Sequence, residues 1–191
     1  MSSIAFYDSA VPHVTAGLNA LIHLLDKIEE HAANSSTSVD TLINARLAPD
    51  MHPLTFQVFV VCDAAMQIAS RCQAIDPIVW ESGPGELKTL QDLRKRANAA
   101  RDFVQESDPQ KFVDPELDVT FNMAPGKYIT AKAREFVNGF ALPNMYFHII
   151  TMYNILRSNR VPIGKVDYLD FFLGRYVPQA LGVACNDGEK Q

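Results

Sequence analysis

One histidine carries most of the chemical interest of this sequence. Asn144, His148 and Thr151 stand at i, i+4 and i+7 of a strongly periodic apolar segment. On a helix they form a polar stripe beside the apolar seam. Gln57 flanks the seam of another segment in the same way, one residue before Val58. Two such flanks facing each other place an imidazole and an amide at the rim of a pocket. An imidazole there suits general acid or base work near neutral pH, and Tyr146 is a candidate proton donor beside it. The competing reading of His148 is a buried ring that only pins helix register through hydrogen bonds.

A second group surrounds the bent stretch ARLAPDMHPL, residues 45–54. Asp50 is a candidate catalytic carboxylate, although an aspartate just ahead of a helix also caps free N–H groups. Arg46, four residues earlier, suits an acidic ligand or a pair with Asp50. His148, His52 and Asp50 are acceptable ligand types for zinc or another divalent ion, but no spacing rule joins them. The primary expectation is therefore no metal and no cofactor. The chain has no H-E-x-x-H and no Glu-x-x-His pair, GPGELK (83–88) lacks P-loop spacing, and there is no G-x-S-x-G elbow.

The elements that must position these residues follow from periodicity. A first helix is expected over 9–33, capped by Asp8 or Ser9, with Pro12 in its first turn and Val14, Leu18, Leu21, Leu25 and Ile28 as seam. A short helix at 39–46 follows NSSTS, and the two prolines of 45–54 enforce a bent connector. The next helix, 53–74, has the seam Leu54, Val58, Val61, Ala65, Ile68 and Cys72. It also carries Phe56, Phe59, Val60 and Met66, more apolar surface than one stripe needs, so it is central or meets a partner chain. Asp63 falls opposite that seam, where exposure or a partner contact is expected. A third long helix at 86–106 turns Leu90, Leu93, Ala97, Ala100 and Val104 inward, leaving Lys88, Arg94, Lys95, Arg96 and Arg101 as a solvated face. Alternation at Val119, Phe121 and Met123, then Ala124-Pro125-Gly126, predicts a β-hairpin. A short helix near 131–139 and a last long helix at 143–159, with Met145, Ile149, Met152 and Leu156 inward, complete the set. The aromatic tail, 161–179, is expected to pack back on the bundle, with frayed residues beyond 183. The whole chain reads as one mainly α domain, 1–191, with its core at about 5–174.

Composition narrows the function classes. The 191 residues are 48% hydrophobic and 20% charged with a formal charge of -5, which is globular composition and offers no basic stripe for nucleic acid or acidic membranes. No run approaches the ~18 apolar residues of a membrane span. Cys62, Cys72 and Cys185 form no C-x-x-C pair, and the N-terminus lacks a signal-peptide pattern. A reduced, cytoplasmic setting is expected.

ARLAPDM (45–51), LPNMYFH (142–148), ILRSNRVPIGK (155–165) and DYL (167–169) together carry a resemblance. The chain resembles the family called domain of unknown function nineteen ninety-three, grouped with the DinB and YfiT-like helical bundles, over about residues 5–174. The resemblance implies an antiparallel up-down-up-down four-helix bundle, commonly dimeric. The wider group contains many metalloenzymes that hold a divalent metal through three histidines, one on the second long helix and two four apart on the last. Here Met152 stands four residues after His148, and no histidine lies within the helix that follows Pro53.

The leading functional expectation is a small-molecule-binding bundle with a pocket between the helices from Pro53 and Pro143. The ligand is a small apolar organic molecule contacted by Gln57, Asn144, Thr151 and Arg46, with His148, Asp50 and Tyr146 as catalytic candidates for metal-free isomerase, dehydratase or cyclase chemistry. Two alternatives stand beside it: a DinB-like metal-dependent transferase or hydrolase with degenerate ligands, and a non-enzymatic homodimeric interaction or stress-related protein.

Overall fold

The computed structural model describes residues 2–174 apart from Pro77, Glu81, Ser82, Pro84 and Pro125; Cys185 and the end of the aromatic tail lie outside these residues. The helices form where the apolar seams require them. They are α1 (Ser3–Ala33), α2 (Val39–Asn44), α3 (Leu54–Arg71) and α4 (Leu90–Gln105), then after the hairpin α5 (Ala133–Glu135), α6 (Leu142–Ser158) and α7 (Lys165–Leu173). The hairpin strands are β1 (Asp118–Ala124) and β2 (Lys127–Lys132), paired antiparallel. Among the described residues the fold is mainly helical with one hairpin, as the periodicity predicts.

Every seam residue of α1, α3 and α6 named above is fully enclosed. The third-helix seam is enclosed too, except that Leu90 is half-buried. Helix α3 lies at the centre, packed on α4 and α6 and touching α1 and α2. Of its extra apolar residues Met66 is enclosed there, while Phe56, Phe59 and Val60 are half-buried and leave part of their surface uncovered. At Gly17, α1 comes so close to α6 that a Cβ there would sit 2.7 Å from Met145 Cε and 3.1 Å from Ile149 Cδ1.

Several boundaries differ from the periodic reading, each for a local reason. α1 begins at Ser3, because Ser2 accepts the Ala5 N–H and caps it there; Asp8 and Ser9 lie within the helix, as does Pro12. α4 begins at Leu90 rather than near residue 86. Thr89 Oγ1 accepts the Asp92 N–H at 3.1 Å, and Asp92 Oδ2 accepts the Thr89 N–H at 2.9 Å, a reciprocal cap that fixes the start. Met123 is 49% exposed although Val119 and Phe121 are buried, because the strand register shifts between Asn122 and Ala124. Gly126 holds the hairpin turn with φ 73°.

The helix expected near 131–139 is only one turn, and it runs into a π-helical turn, Phe136–Ala141, that passes directly into α6. Pro143 accounts for this. It has no N–H to give Gly139, and its ring would strike that carbonyl in a regular helix. The preceding turn widens, and the Leu142 N–H reaches back five residues to the Val137 carbonyl.

α7 folds back on α1. His23 Nε2 lies 2.8 Å from Asp167 Oδ1, and the Gly164 N–H donates to Asp167 Oδ2 at 2.6 Å. Phe171 packs on the His23 ring. Burial opposes ionisation of Asp167, but the His23 and Gly164 hydrogen bonds with nearby Lys27 outweigh it and hold the carboxyl below its ordinary range. A carboxylate with a depressed native value stabilises the fold above its unfolded value of about 3.9, and that contribution disappears as pH falls through the lower native value. Asp167→Ala is therefore expected to lower unfolding free energy by about 1–2 kcal/mol near neutral pH. In urea titrations the difference from wild type should close as the solution is acidified below about pH 4.

Candidate functional site

Gln57 and His148 meet, as their positions beside two seams imply. His148 Nδ1 lies 2.6 Å from Gln57 Oε1, across the α3–α6 contact. Gln57 is only 2% exposed, so its amide must be satisfied inside the protein. Its Nε2 donates to the His52 carbonyl at 3.0 Å and the Pro53 carbonyl at 3.3 Å, ahead of the first turn of α3. With both amide hydrogens committed, Oε1 is the atom left to face the ring. His148 must then donate from Nδ1, which fixes its tautomer and leaves the Nε2 lone pair as an acceptor.

Burial pushes the His148 imidazole down to about 4, and the neighbouring charge of His52 adds to the effect. The ring is neutral near neutral pH. It can accept a hydrogen bond there, but it is neither a ready acid nor a strong base, which narrows the acid-or-base expectation. Aromatic edges enclose it: the Phe147 ring centroid is 5.2 Å away and that of Phe56 6.1 Å, both edge-on. His52 is exposed and stacks on Phe56 at 4.0 Å.

A cleft of about 450 Å³ opens beside this cluster, between α3, β1, the π-helical turn and the start of α6. Phe56, Phe59, Phe121 and Phe140 give it aromatic walls, and Asp63, Gln67, Arg71, Asn122 and Asn144 give it polar ones. His148 stands one turn beyond Asn144 on α6. Phe56 also lines a second cleft of about 580 Å³ with His52, Asp40, Asn44 and Lys88.

The remaining candidates are dispersed. Thr151 is buried and donates to the Phe147 carbonyl of its own helix at 2.7 Å, so its hydroxyl proton is spent internally. Tyr146 precedes His148 by two residues, about 200° around a helix. It faces α7, where it meets Phe172 edge-on at 5.7 Å, and burial with the nearby Tyr168 pushes its phenol up to about 12. Arg46 donates to the Met51 carbonyl and ties down the connector rather than pairing with Asp50. Asp50 is exposed, and α3 has Pro53 as its N-cap with no side-chain cap bond.

Among the described residues no three His, Cys, Asp or Glu side chains are gathered as a metal ion requires, so His148, His52 and Asp50 do not form such a set. Met152, where a second histidine of the last helix would stand, is enclosed in the core. The donors present do not fit a three-histidine centre.

Two residues depart from their expected settings. Asp63 is half-buried in the cleft wall; burial raises its carboxyl above the ordinary range while Arg96 and Arg71 pull against that rise. Arg96, expected on a solvated face, is 4% exposed. Its guanidinium lies 4.8 Å from the Phe59 ring centroid and 4.4 Å from that of Trp80. A polar file missed by the periodic reading runs Asp63, Gln67, Arg71, four apart along α3. Arg71 Nε donates to Gln67 Oε1 at 2.6 Å, and Nη1 donates to the Thr120 carbonyl of β1 at 2.5 Å.

With this geometry in place, comparison with known proteins is decisive for kinship. The family model "Domain of unknown function (DUF1993)" matches residues 6–169. The chain belongs to this family. Its fold is similar to the crystal structure of a DinB family member protein from Shewanella denitrificans, at 32% identity and a TM-score of 0.77, covering 87% of this chain and 93% of that one. A search of curated proteins finds no match. Among the described residues no helix of this family member is long and apolar enough to cross a membrane.

The His148 assignment has two measurable consequences. Long-range ¹H–¹⁵N spectra should show an Nδ1-protonated ring that titrates near 4 rather than 6.5. A native ring that resists protonation makes wild type lose stability as pH falls from 6.5 toward about 4, because the unfolded chain takes up the proton first. His148→Gln should lack that slope. A ring that titrates normally in the folded protein would overturn the buried hydrogen bond.

Proposed function

We propose that this protein binds a small, largely apolar organic molecule in the cleft between α3, β1 and the π-helical turn. The observation that carries the reading is the make-up of the cleft: aromatic walls, a few convergent polar groups, and a volume of about 450 Å³, in the range of small-molecule sites. Its position adds support. The π-helical turn contributes to its wall, and such turns occur frequently at functional sites.

His148 extends the proposal toward chemistry. A neutral ring with its Nδ1 proton engaged can accept a hydrogen bond at Nε2, and act as a weak base, toward a ligand reaching past Asn144 and Phe56. Metal-free proton transfer of the isomerase, dehydratase or cyclase kind is the reaction class we propose for it, confined to substrates acidic enough for so weak a base. Tyr146 and Asp50 take no part in it.

Binding can be tested with a neutral fluorescent probe of apolar sites, N-phenyl-1-naphthylamine. Wild type is expected to bind it saturably at one site per chain. Val60→Trp places an indole in the cleft wall and should abolish that binding without changing the far-UV circular dichroism. Unchanged probe binding in Val60→Trp would show that the cleft is not the site.

A further inference from the structure

Asp63 is the one carboxylate among the described residues of the cleft wall, and the role found for His148 does not use it. It shares that wall with Phe56 and Phe59 of its own helix and with Phe121 and Phe140 from the hairpin and the π-helical turn. His148 stands one turn beyond Asn144, whereas Asp63 faces the cleft directly.

Burial favours the neutral acid, so a carboxylate kept in this wall is more basic than one in open water. Arg96, Arg71 and a hydrogen bond from Gln67 hold back that rise without cancelling it. The ionisable groups around Asp63 are thus Arg96 from α4, and Arg71 and Cys62 on α3 itself. The Cys62 thiol is pushed up to about 12 by burial and stays neutral. The parts of β1, the π-helical turn and α6 that line the cleft carry no charge.

Gln67 joins Asp63 to Arg71. Arg71 Nε donates to Gln67 Oε1 at 2.6 Å, and Gln67 in turn hydrogen-bonds Asp63, so base and cation end one polar file about two turns long. With one charge of each sign, the lining favours neither an anion nor a cation. A proton passed from a neutral ligand to Asp63 preserves that balance. The negative charge moves from the carboxylate to the ligand, within the cleft that Arg71 also lines, and Asn122 and Asn144 offer amide hydrogens to the oxygen that receives it.

We propose that Asp63 is a catalytic base of the cleft, taking a proton from the carbon next to the carbonyl of a small neutral ketone. The C–H bond breaks, its proton goes to a carboxylate oxygen of Asp63, and its electron pair enters the carbonyl to give an enolate. Return of the proton from Asp63 to the same carbon, or to the far end of a conjugated double bond, completes exchange or isomerisation and needs no oxidant or reductant. This rests on the cleft being the binding site, and adds a substrate class and a second proton carrier. The competing role of Asp63 is that of a counter-ion for the arginines alone.

The full chain is incubated in D2O with 4-phenyl-2-butanone, and the protons next to the carbonyl are followed by ¹H spectra. Wild type is expected to exchange them faster than buffer. Its contribution should rise with pH through a midpoint above the ordinary carboxylate value of about 3.9, as the base loses its own proton, and then level. Asp63→Asn keeps the side-chain shape; it should lower that contribution at least about 100-fold and still bind N-phenyl-1-naphthylamine as wild type does. Wild-type exchange no faster than buffer, or exchange undiminished in Asp63→Asn, would overturn the catalytic role and leave the cleft standing through its fluorophore. Failure of wild type to bind the fluorophore would instead remove the cleft. A measurement on wild type alone covers a variant that does not fold: 1,2-epoxy-3-(4-nitrophenoxy)propane, which esterifies reactive carboxylates, is expected to label Asp63 and to be blocked by the fluorophore. Labelling confined to other carboxylates would count against the proposal.

Discussion

Helix α3 is covered on two sides, by α4 and by α6, and everything of functional interest follows from that enclosure. Twelve of its eighteen residues are buried. A helix so enclosed has few routes to water for its polar side chains, and each must find a partner within the protein or line an internal space. Gln57 does the first, bridging the connector carbonyls and the imidazole of α6. Asp63, Gln67 and Arg71 do the second along the opposite flank. The hydrogen bond to His148 is thus a consequence of packing before it is a feature of any site, and a buried amide oriented by its own backbone leaves the imidazole one choice of tautomer.

The second organising feature is Pro143. Placed where a regular helix would require an N–H, it forces the preceding turn to widen, and the widened turn brings Phe136, Phe140 and Ala141 to the same cleft that Asn144 reaches from the first turn of α6. The hairpin supplies the facing wall through Phe121 and Asn122. Three segments distant in sequence meet at this place, and the aromatic contacts Phe121–Phe136 at 4.8 Å and Phe121–Phe140 at 4.9 Å hold the hairpin to the turn.

What the sequence disclosed was set by how local the physics is. Seams spaced three and four residues apart marked the four long helices, and the positions of Gln57 and His148 beside two of them were enough to anticipate their meeting. Tyr146 was misplaced because two residues along a helix turn a side chain almost to the far side, a constraint that nearness in sequence conceals. Arg96 was legible in principle: it stands three residues after Leu93 and four before Ala100, on the inward face, yet its charge and basic neighbours suggested solvent. The hairpin wall of the cleft and the widened turn depend on tertiary approach and on one proline's effect upstream. No short window of sequence contains them.

The sheet in the described residues consists of β1 and β2 alone. A hairpin without a third strand has little stability of its own; this one depends on Val119 and Phe121 in the core and on the Arg71 bond to Thr120. The four long helices carry most of the buried core, to which the hairpin adds Val119 and Phe121. Displacing two short strands would open the cleft without parting the helices on which the native state depends. Local opening of the hairpin and global unfolding are in that case separable events.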